Sequence, residues 1–137
     1  MEIRQISVEE LGGGITEILD EHMDKEVGRT TEQTRRIAFA MYEGDKICGG
    51  ILGTLILEGF HINELAISEE YRGQRYGEKL VKLAEDAAIE AGAKILTVST
   101  QDYQALGFYE KLGYEVFGTL DDWPFKGTKK YYLTRKV

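Results

Sequence analysis

The stretch that decides the fold is ELAISEEYRGQRYG, residues 64–77 of the chain. A run of apolar residues, predicted as a strand over 60–67, passes here into a loop rich in glycine and arginine, which opens a helix predicted over 77–91. The first amides of a helix have no intrahelical acceptor, and the helix dipole adds about half a positive charge beside them. The stretch therefore predicts an anion site, most simply one for phosphate. The alternative is an ordinary strand-to-helix turn with solvated arginines.

The loop differs from two common phosphate-binding loops. It lacks the Gly-Lys-Ser/Thr ending that would place a magnesium ion on a nucleotide phosphate. It follows a predicted antiparallel meander and does not open a βαβ unit, so it is not a dinucleotide-binding fingerprint. A diphosphate that is bound without a metal points to a coenzyme such as coenzyme A.

The residues around this loop predict one α/β (α+β) domain over residues 1–137. Alternating and β-branched runs predict the strands, and apolar residues at helical spacing predict the helices. The predicted strands cover 3–6, 36–42, 47–57, 60–67, 95–99, 114–117 and 130–135, and the predicted helices cover 15–27, 77–91 and 104–112. The glycine triplet at 12–14 would break any helix begun at Ser7, which leaves two short helices or a mobile loop before residue 27. This order indicates a single mixed sheet of about seven strands with about four helices. Gly49, Gly50 and Gly53 predict a bulge or a close backbone approach within the second hairpin strand.

Composition and charge exclude several classes of protein. The chain has 17 Lys and Arg against 24 Asp and Glu, a net charge of −7, which argues against non-specific binding to nucleic acid. The single cysteine, Cys48, excludes a disulfide framework and a cysteine-based zinc site, and we expect it to be a small buried residue. Two scattered histidines predict no metal site. Without a signal peptide or an apolar run near the ~20 residues of a membrane span, we expect a cytoplasmic protein.

Two motifs resemble the GNAT superfamily of acetyl-CoA-dependent N-acetyltransferases. Residues 71–77, YRGQRYG, are similar to its Arg/Gln-x-x-Gly-x-Gly/Ala pyrophosphate motif. Residues 108–114, FYEKLGY, are similar to its Phe-Tyr-x-x-x-Gly-Phe/Tyr segment. The chain is identified as a small bacterial-type single-domain member. The resemblance implies the GNAT fold, in which the strands predicted at 60–67 and 95–99 splay apart.

The resemblance also implies acetyl-CoA as co-substrate, with no metal. Backbone groups of Leu65, Ala66 and Ile67 would pair with the pantetheine arm, because an open strand edge offers N–H and C=O groups. The loop would hold the pyrophosphate, and its residues are Arg72, Gly73, Gln74, Arg75, Tyr76 and Gly77. Gln104 would replace a pantetheine-binding asparagine of many relatives, where this chain has Asp102. Arg75 stands where the motif has its middle glycine, so a positive φ there would cost about 1 kcal/mol or more.

The implied chemistry is direct attack of an amine on the acetyl carbonyl. Tyr109 would act as general acid toward the departing thiolate; the alternative is that it is a core aromatic residue. Glu64 would be the base, directly or through a water; the alternative is that it only orients substrate or solvates a strand edge. Strict alternation places Glu64 on the face of Ile62 and Ala66. His61 would then lie on the opposite face, packed or at the surface.

The predicted function is N-acetylation of a primary amine, most simply on a small molecule. Two alternatives are acetylation of a protein N-terminus or lysine, and a non-catalytic acyl-CoA-binding sensor. The resemblance places the acceptor site between residues 15–29 and 119–129, whose acidic side chains suit a cationic amine or form a solvated face. The aromatic loop around Trp123 and Phe125 is expected to be a lid, a plug or the contact of a homodimer.

Overall fold

The structure is a computed structural model that describes residues 1–31 and 34–137. Contacts along the backbone divide the chain into two compact units, Met1–Gln33 and Thr34–Val137. The prediction of one domain over the whole chain stays a prediction.

The first unit contains α1 (Val8–Leu11) and α2 (Gly14–Val27). A capping box begins α1: the Ser7 hydroxyl accepts a hydrogen bond from the Glu10 amide, and the Glu10 carboxylate accepts one from the Ser7 amide. Gly28 ends α2 in the left-handed region with φ 69°. The predicted helix over 15–27 is confirmed.

The second unit contains one mixed sheet, two helices and a short 3₁₀ turn at Glu69–Tyr71. Its elements are β1 (Arg35–Glu43), β2 (Lys46–Ile56), β3 (Gly59–Ile67), α3 (Tyr76–Glu90), β4 (Ile95–Gln101), α4 (Leu106–Lys111), β5 (Glu115–Asp121) and β6 (Lys129–Lys136). The strand order is β1-β2-β3-β4-β6-β5. The β3–β4 pair is parallel and the other pairs are antiparallel, so the predicted mixed α/β sheet is confirmed.

Over the described residues the sheet has six strands, and the strand predicted at 3–6 is absent. Ile3 and Ile6 are three residues apart, so a strand would direct them to opposite faces and could bury only one of them. Ile3 is 94% exposed. The prediction of this strand was wrong because the segment has no single apolar face.

The core lies between α3 and the face of the sheet formed by β1, β2 and β3. Helix α3 buries Leu80, Val81, Ala84 and Ala88, which follow one side of the helix. Large buried side chains from β2, β3, β4 and β6 belong to the same core. Cys48 is buried in β2, as predicted.

The loop between β5 and β6 carries the aromatic pair predicted as a lid, plug or dimer contact. Trp123 is 49% exposed and Phe125 is 59% exposed. Neither ring is buried, and a role as a lid or as the contact of a homodimer stays a prediction.

Candidate functional site

A gap opens between β3 and β4 in the middle of the sheet. The two strands pair only where Gly59–Ile62 run beside Ile95–Val98. Beyond these rows β3 continues to Ile67 and β4 continues to Gln101 without pairing to each other. The facing edges of the two strands therefore offer backbone N–H and C=O groups that no ladder uses. These are the splayed strands that the resemblance implied.

A β-bulge lies in β3 where the gap begins. On β2, Leu52 is opposite Glu64 and its neighbour Gly53 is opposite Ile62, so Asn63 is an extra residue. A bulge of this kind bends the strand and redirects the side chains that follow it. The bulge predicted within the second hairpin strand is a separate one: on β1, Met41 is opposite Gly49 and Tyr42 is opposite Ile47, so Cys48 is an extra residue of β2.

The bulge changes which side chains share a face. His61 is opposite Thr54 and Glu64 is opposite Leu52, and these β2 partners are two residues apart. Residues two apart on a regular strand share a face, so His61 and Glu64 lie on the same side of the sheet. Ile62 is buried on the core side. The predictions that Glu64 shares a face with Ile62 and that His61 lies opposite it were wrong, because the extra residue shifts the alternation by one.

On that face His61 is held by β4. Its Nδ1 lies 2.7 Å from the Thr97 hydroxyl oxygen. Burial lowers the pKa of His61 from its ordinary value, and the nearby ammonium group of Lys130 lowers it further. Glu64 is exposed further along β3. The face thus presents a neutral imidazole and a carboxylate next to the gap.

The loop after β3 is braced by its own groups. The Ser68 amide donates to the Cys48 carbonyl at 2.9 Å, and the Tyr71 amide donates to the Ser68 carbonyl at 2.9 Å. The guanidinium of Arg72 donates through Nε to the Ile67 carbonyl at 2.9 Å. Arg72 therefore stabilises the turn itself, in addition to placing a positive charge beside it.

Helix α3 begins with open amides, as the sequence predicts. Gly73 and Arg75 both adopt left-handed backbone, with φ 79° and φ 65°. Helix geometry leaves the amides of Tyr76, Gly77 and Glu78 without an intrahelical acceptor. Arg75 therefore keeps the glycine-like conformation of the motif, and its Cβ makes this backbone strained.

Replacing Arg75 with glycine should raise the free energy of unfolding by about 0.5–1 kcal/mol, because relief of left-handed strain exceeds the entropy that glycine adds to the unfolded chain. Arg75→Ala is the matched control, since it removes the guanidinium but retains a Cβ. Urea denaturation measures both. Equal stability of the two variants would show that the left-handed backbone carries no strain.

The loop and α4 meet at a small cavity. This cavity has a volume of about 350 Å³ and is lined by Ile67, residues of the 71–78 loop and Phe108. A Cβ added to Gly77 would lie 3.4 Å from the Phe108 ring, so the glycine permits this close approach. Phe108 precedes Tyr109 in the chain. The structure therefore brings the two sequence motifs together.

Tyr109 lies in α4 and is only 4% exposed. Its ring packs edge-on against Phe108 at 5.0 Å and against Tyr114 at 5.7 Å between centroids. Burial raises the pKa of Tyr109 to about 12, so its hydroxyl is protonated in neutral solution. Within the part of the chain that the structure describes, no hydrogen bond engages that hydroxyl. Its proton is available to a ligand, while the buried ring also suits the core alternative.

A buried charge network next to Tyr109 was not predicted from the sequence. The Tyr114 hydroxyl donates to Glu85 Oε2 at 2.7 Å, and Arg135 Nη1 lies 3.0 Å from the same oxygen. Burial, and then the hydrogen bond to the Glu85 carboxylate, raise the pKa of Tyr114 above its ordinary value. The network ties α3 to β6 and supports the ring beneath Tyr109. The signal that could have revealed it is a glutamate between the apolar residues Ala84 and Ala88.

Gln104 lies before α4 and not inside it. The predicted helix over 104–112 begins later, at Leu106, and ends at Lys111. The side-chain carbonyl of Gln104 accepts a hydrogen bond from the Gln101 amide at 3.0 Å. In the described residues its side-chain nitrogen makes no hydrogen bond to the protein and is open to a ligand, and the predicted contact with pantetheine stays a prediction.

Two further findings concern metal binding and membrane-crossing helices. Across residues 1–31 and 34–137, no cluster of three or more His, Cys, Asp or Glu side chains could hold a metal ion. In the same residues, no helix combines the length and apolar character that crossing a membrane requires.

The chain is similar to several acetyltransferases. A family profile described as Acetyltransferase (GNAT) family matches residues 2–114. The blasticidin-S acetyltransferase of Streptomyces morookaense is 32% identical over 100 residues, which cover 72% of this chain and 73% of that protein. The peptidyl-lysine N-acetyltransferase YjaB of Salmonella typhimurium is 39% identical over 67 residues, and these span 49% of this chain and only 44% of that relative.

The fold is also that of a solved acetyltransferase. The crystal structure of an acetyltransferase from Bacillus cereus matches with a TM-score of 0.86 and 24% identity, covering 100% of this chain and 98% of that one. The family profile spans most of the chain and includes both motifs. With its splayed strands, its glycine-arginine loop and its FYEKLGY segment, the chain belongs to the GNAT acetyltransferase family, as the sequence predicted.

Proposed function

We propose that the protein transfers the acetyl group of acetyl-CoA to a primary amine of a small molecule, by direct attack in a ternary complex. The observation that carries the proposal is the meeting of three features. The gap between β3 and β4 ends at the loop whose amides begin α3, and this loop contacts the helix that holds Tyr109. A ligand with a diphosphate, an amide-bearing arm and a thioester has a complementary surface at each of these places.

The residues present fit the coenzyme. Leu65, Ala66 and Ile67 lie on the part of β3 that pairs with β2 but not with β4, so their backbone edge facing β4 can bind the amides of a pantetheine arm as a neighbouring strand would. The pyrophosphate would be held by the amides of the 72–77 loop, where Arg75 adds positive charge. Gly77 gives an anion close access to the helix terminus, since a larger side chain would fill the cavity beside Phe108.

The reaction needs one group that acts on the leaving sulfur and another that acts on the acceptor amine. The hydroxyl of Tyr109 would donate to the sulfur as the C–S bond breaks, which is the role of a general acid. The exposed carboxylate of Glu64 would attract the ammonium group of the acceptor by charge. That Glu64 also removes the proton, directly or through a water, stays a prediction.

The acceptor class is argued from charge and from the relatives. A protein with net charge −7 favours cationic partners. One relative, matched over 73% of its length, is named for a small molecule, blasticidin S. The peptidyl-lysine relative is matched over only 44% of its length. The acidic walls predicted at 15–29 and 119–129 stay predictions.

Thiol release from acetyl-CoA tests the proposal with blasticidin S, spermidine and a lysine-containing peptide as acceptors. Turnover with either small amine at a higher kcat/KM than with the peptide supports a small-molecule acceptor. A preference for the peptide would favour the alternative of protein lysine acetylation. Turnover with none of these amines would contradict acetylation of this substrate class.

Replacing Gly77 with tryptophan should abolish CoA binding, because the indole would occupy the cavity next to Phe108. CoA at about 100 times its Kd should stabilise the wild type by about 2.7 kcal/mol, seen as a rise in Tm. Gly118→Trp is the control, since nothing lies within 4 Å of an added Cβ at this position in β5. A CoA-dependent rise in Tm in Gly77→Trp would place the diphosphate elsewhere.

A further inference from the structure

We propose that His61 is the base that accepts the proton of the acceptor amine and that Thr97 orients its ring, an inference that rests on the proposed function. The bulge at Asn63 is the observation that first points to His61. It places the imidazole on the same face as Glu64, where strict alternation would have separated them. Two groups suited to an ammonium ion thus lie together on one side of the sheet.

His61 lies at the closed end of the gap. It is opposite Thr97 in the parallel pairing of β3 with β4, and Ile62 with Val98 forms the last paired row. The two strands separate directly after that row. A thioester lying in the gap, with an amine approaching from the face of Glu64, would therefore meet the imidazole at the point of separation.

The hydrogen bond to β4 fixes the ring, and the proposal uses one of the two neutral tautomers of that ring. With Nδ1 donating to the Thr97 hydroxyl oxygen, 2.7 Å away, the lone pair of a neutral ring is on Nε2. Within the described residues Nε2 has no hydrogen-bond partner. Thr97 is therefore a positioning residue, and Nε2 is the atom that would accept the proton.

Burial, and then the charge of Lys130, favour the neutral imidazole. The charged side chains on this face include Glu64 on β3, Arg36 on β1, Lys130 and Lys136 on β6 and Glu115 on β5, while β4 presents the uncharged Thr97 beside the ring. Burial and Lys130 lower the pKa of His61 below its ordinary value of 6.5, so the ring is unprotonated at pH 7. The same Lys130 charge favours the return of the proton to water afterwards.

The reaction balances with these groups. An ammonium acceptor gives one proton to His61 Nε2, and the resulting amine attacks the acetyl carbonyl. The new C–N bond forms as the C–S bond breaks, and the thiolate takes a proton from the Tyr109 hydroxyl. The amide nitrogen then loses its remaining extra proton to solvent, His61 returns its proton to water, and Tyr109 is reprotonated from water. No oxidant, reductant or metal is consumed.

The test compares His61→Asn with the wild type on the panel amine that has the largest kcat/KM. Asparagine can keep the bond to Thr97 but cannot accept a proton, so kcat at pH 7 should fall by about 10²-fold. The difference in kcat between His61→Asn and the wild type should shrink as the pH rises past the pKa of the amine itself, because the free amine needs no base. Thr97→Val should show a smaller loss with the same pH dependence.

Two controls separate this role from a structural one. Glu64→Gln should raise the KM for the amine with little change in kcat, and Glu90→Gln, at an exposed glutamate in the last turn of α3, should leave both unchanged. The CoA-dependent rise in Tm should be the same in every variant. If His61→Asn does not fold, His61→Gln replaces it in the same comparison.

Different contrary results would overturn the assignment of His61 as the base and the proposed function itself. Full activity of His61→Asn at pH 7, or a deficit that is constant with pH, would overturn the assignment of the base. A pH-dependent loss of kcat in Glu64→Gln, with none in His61→Asn, would make Glu64 the base. Absence of thiol release by the wild type with every amine would overturn the proposed function, and this inference with it.

Discussion

Replacing Tyr109 with phenylalanine should lower kcat by about 10²–10⁴-fold, with little change in the affinity for CoA. Within the described residues no protein group makes a hydrogen bond to its hydroxyl. The ring is packed between Phe108 and Tyr114. Phenylalanine keeps that packing, so the fold should be retained. Steady-state thiol release measures kcat, and the rise of Tm with CoA measures binding.

The pH dependence and a control sharpen this prediction. Since burial raises the pKa of Tyr109 to about 12, its hydroxyl stays protonated from pH 6 to pH 9, and the loss of kcat should be equal across this range. Tyr103→Phe removes a hydroxyl from an exposed ring just before α4 and should leave kcat unchanged. Full activity of Tyr109→Phe would make Tyr109 a core aromatic, the alternative that its sequence position left open.

Replacing Gly53 with alanine should lower the free energy of unfolding by about 3 kcal/mol, the upper part of the usual cost of overpacking. An added Cβ would overlap the Phe60 ring and would lie 2.9 Å from the His61 carbonyl oxygen. Phe60 is 1% exposed and fills the core between α3 and the sheet, so its ring has no space to move.

Gly118→Ala is the matched control for this substitution. It adds the same methyl group to a glycine in another strand of the sheet, where nothing lies within 4 Å of the new atom. The change in stability should be within about 0.5 kcal/mol. Urea denaturation of both variants measures the difference, and equal midpoints would show that β2 and β3 can separate at Gly53 without cost.

The site could be predicted from sequence where its signals are local. A loop with glycine and arginine before an amphipathic helix specifies open amides at the start of α3, whatever lies around it. The spacing of the FYEKLGY segment likewise locates Tyr109 in a short helix. The strand at 3–6 was wrongly predicted, because a short apolar segment becomes a strand only when a partner strand and a buried face exist.

Other features depended on elements that are distant in sequence. The ion pair of Glu85 with Arg135 joins residues of α3 and β6, and no local pattern specifies that pairing. The left-handed backbone of Arg75 is imposed by the path from β3 to α3, since arginine itself disfavours it.

By itself the sequence determined the order of helices and strands after residue 35, the anion-binding loop and the family, because periodicity, turn residues and motif spacing are properties of neighbouring residues. Only the tertiary structure decided that Asn63 is extra in the pairing of β3 with β2, and hence that His61 and Glu64 share a face. The physical reason is that a strand's own sequence records alternation, whereas the register against its partner sets where that alternation is broken.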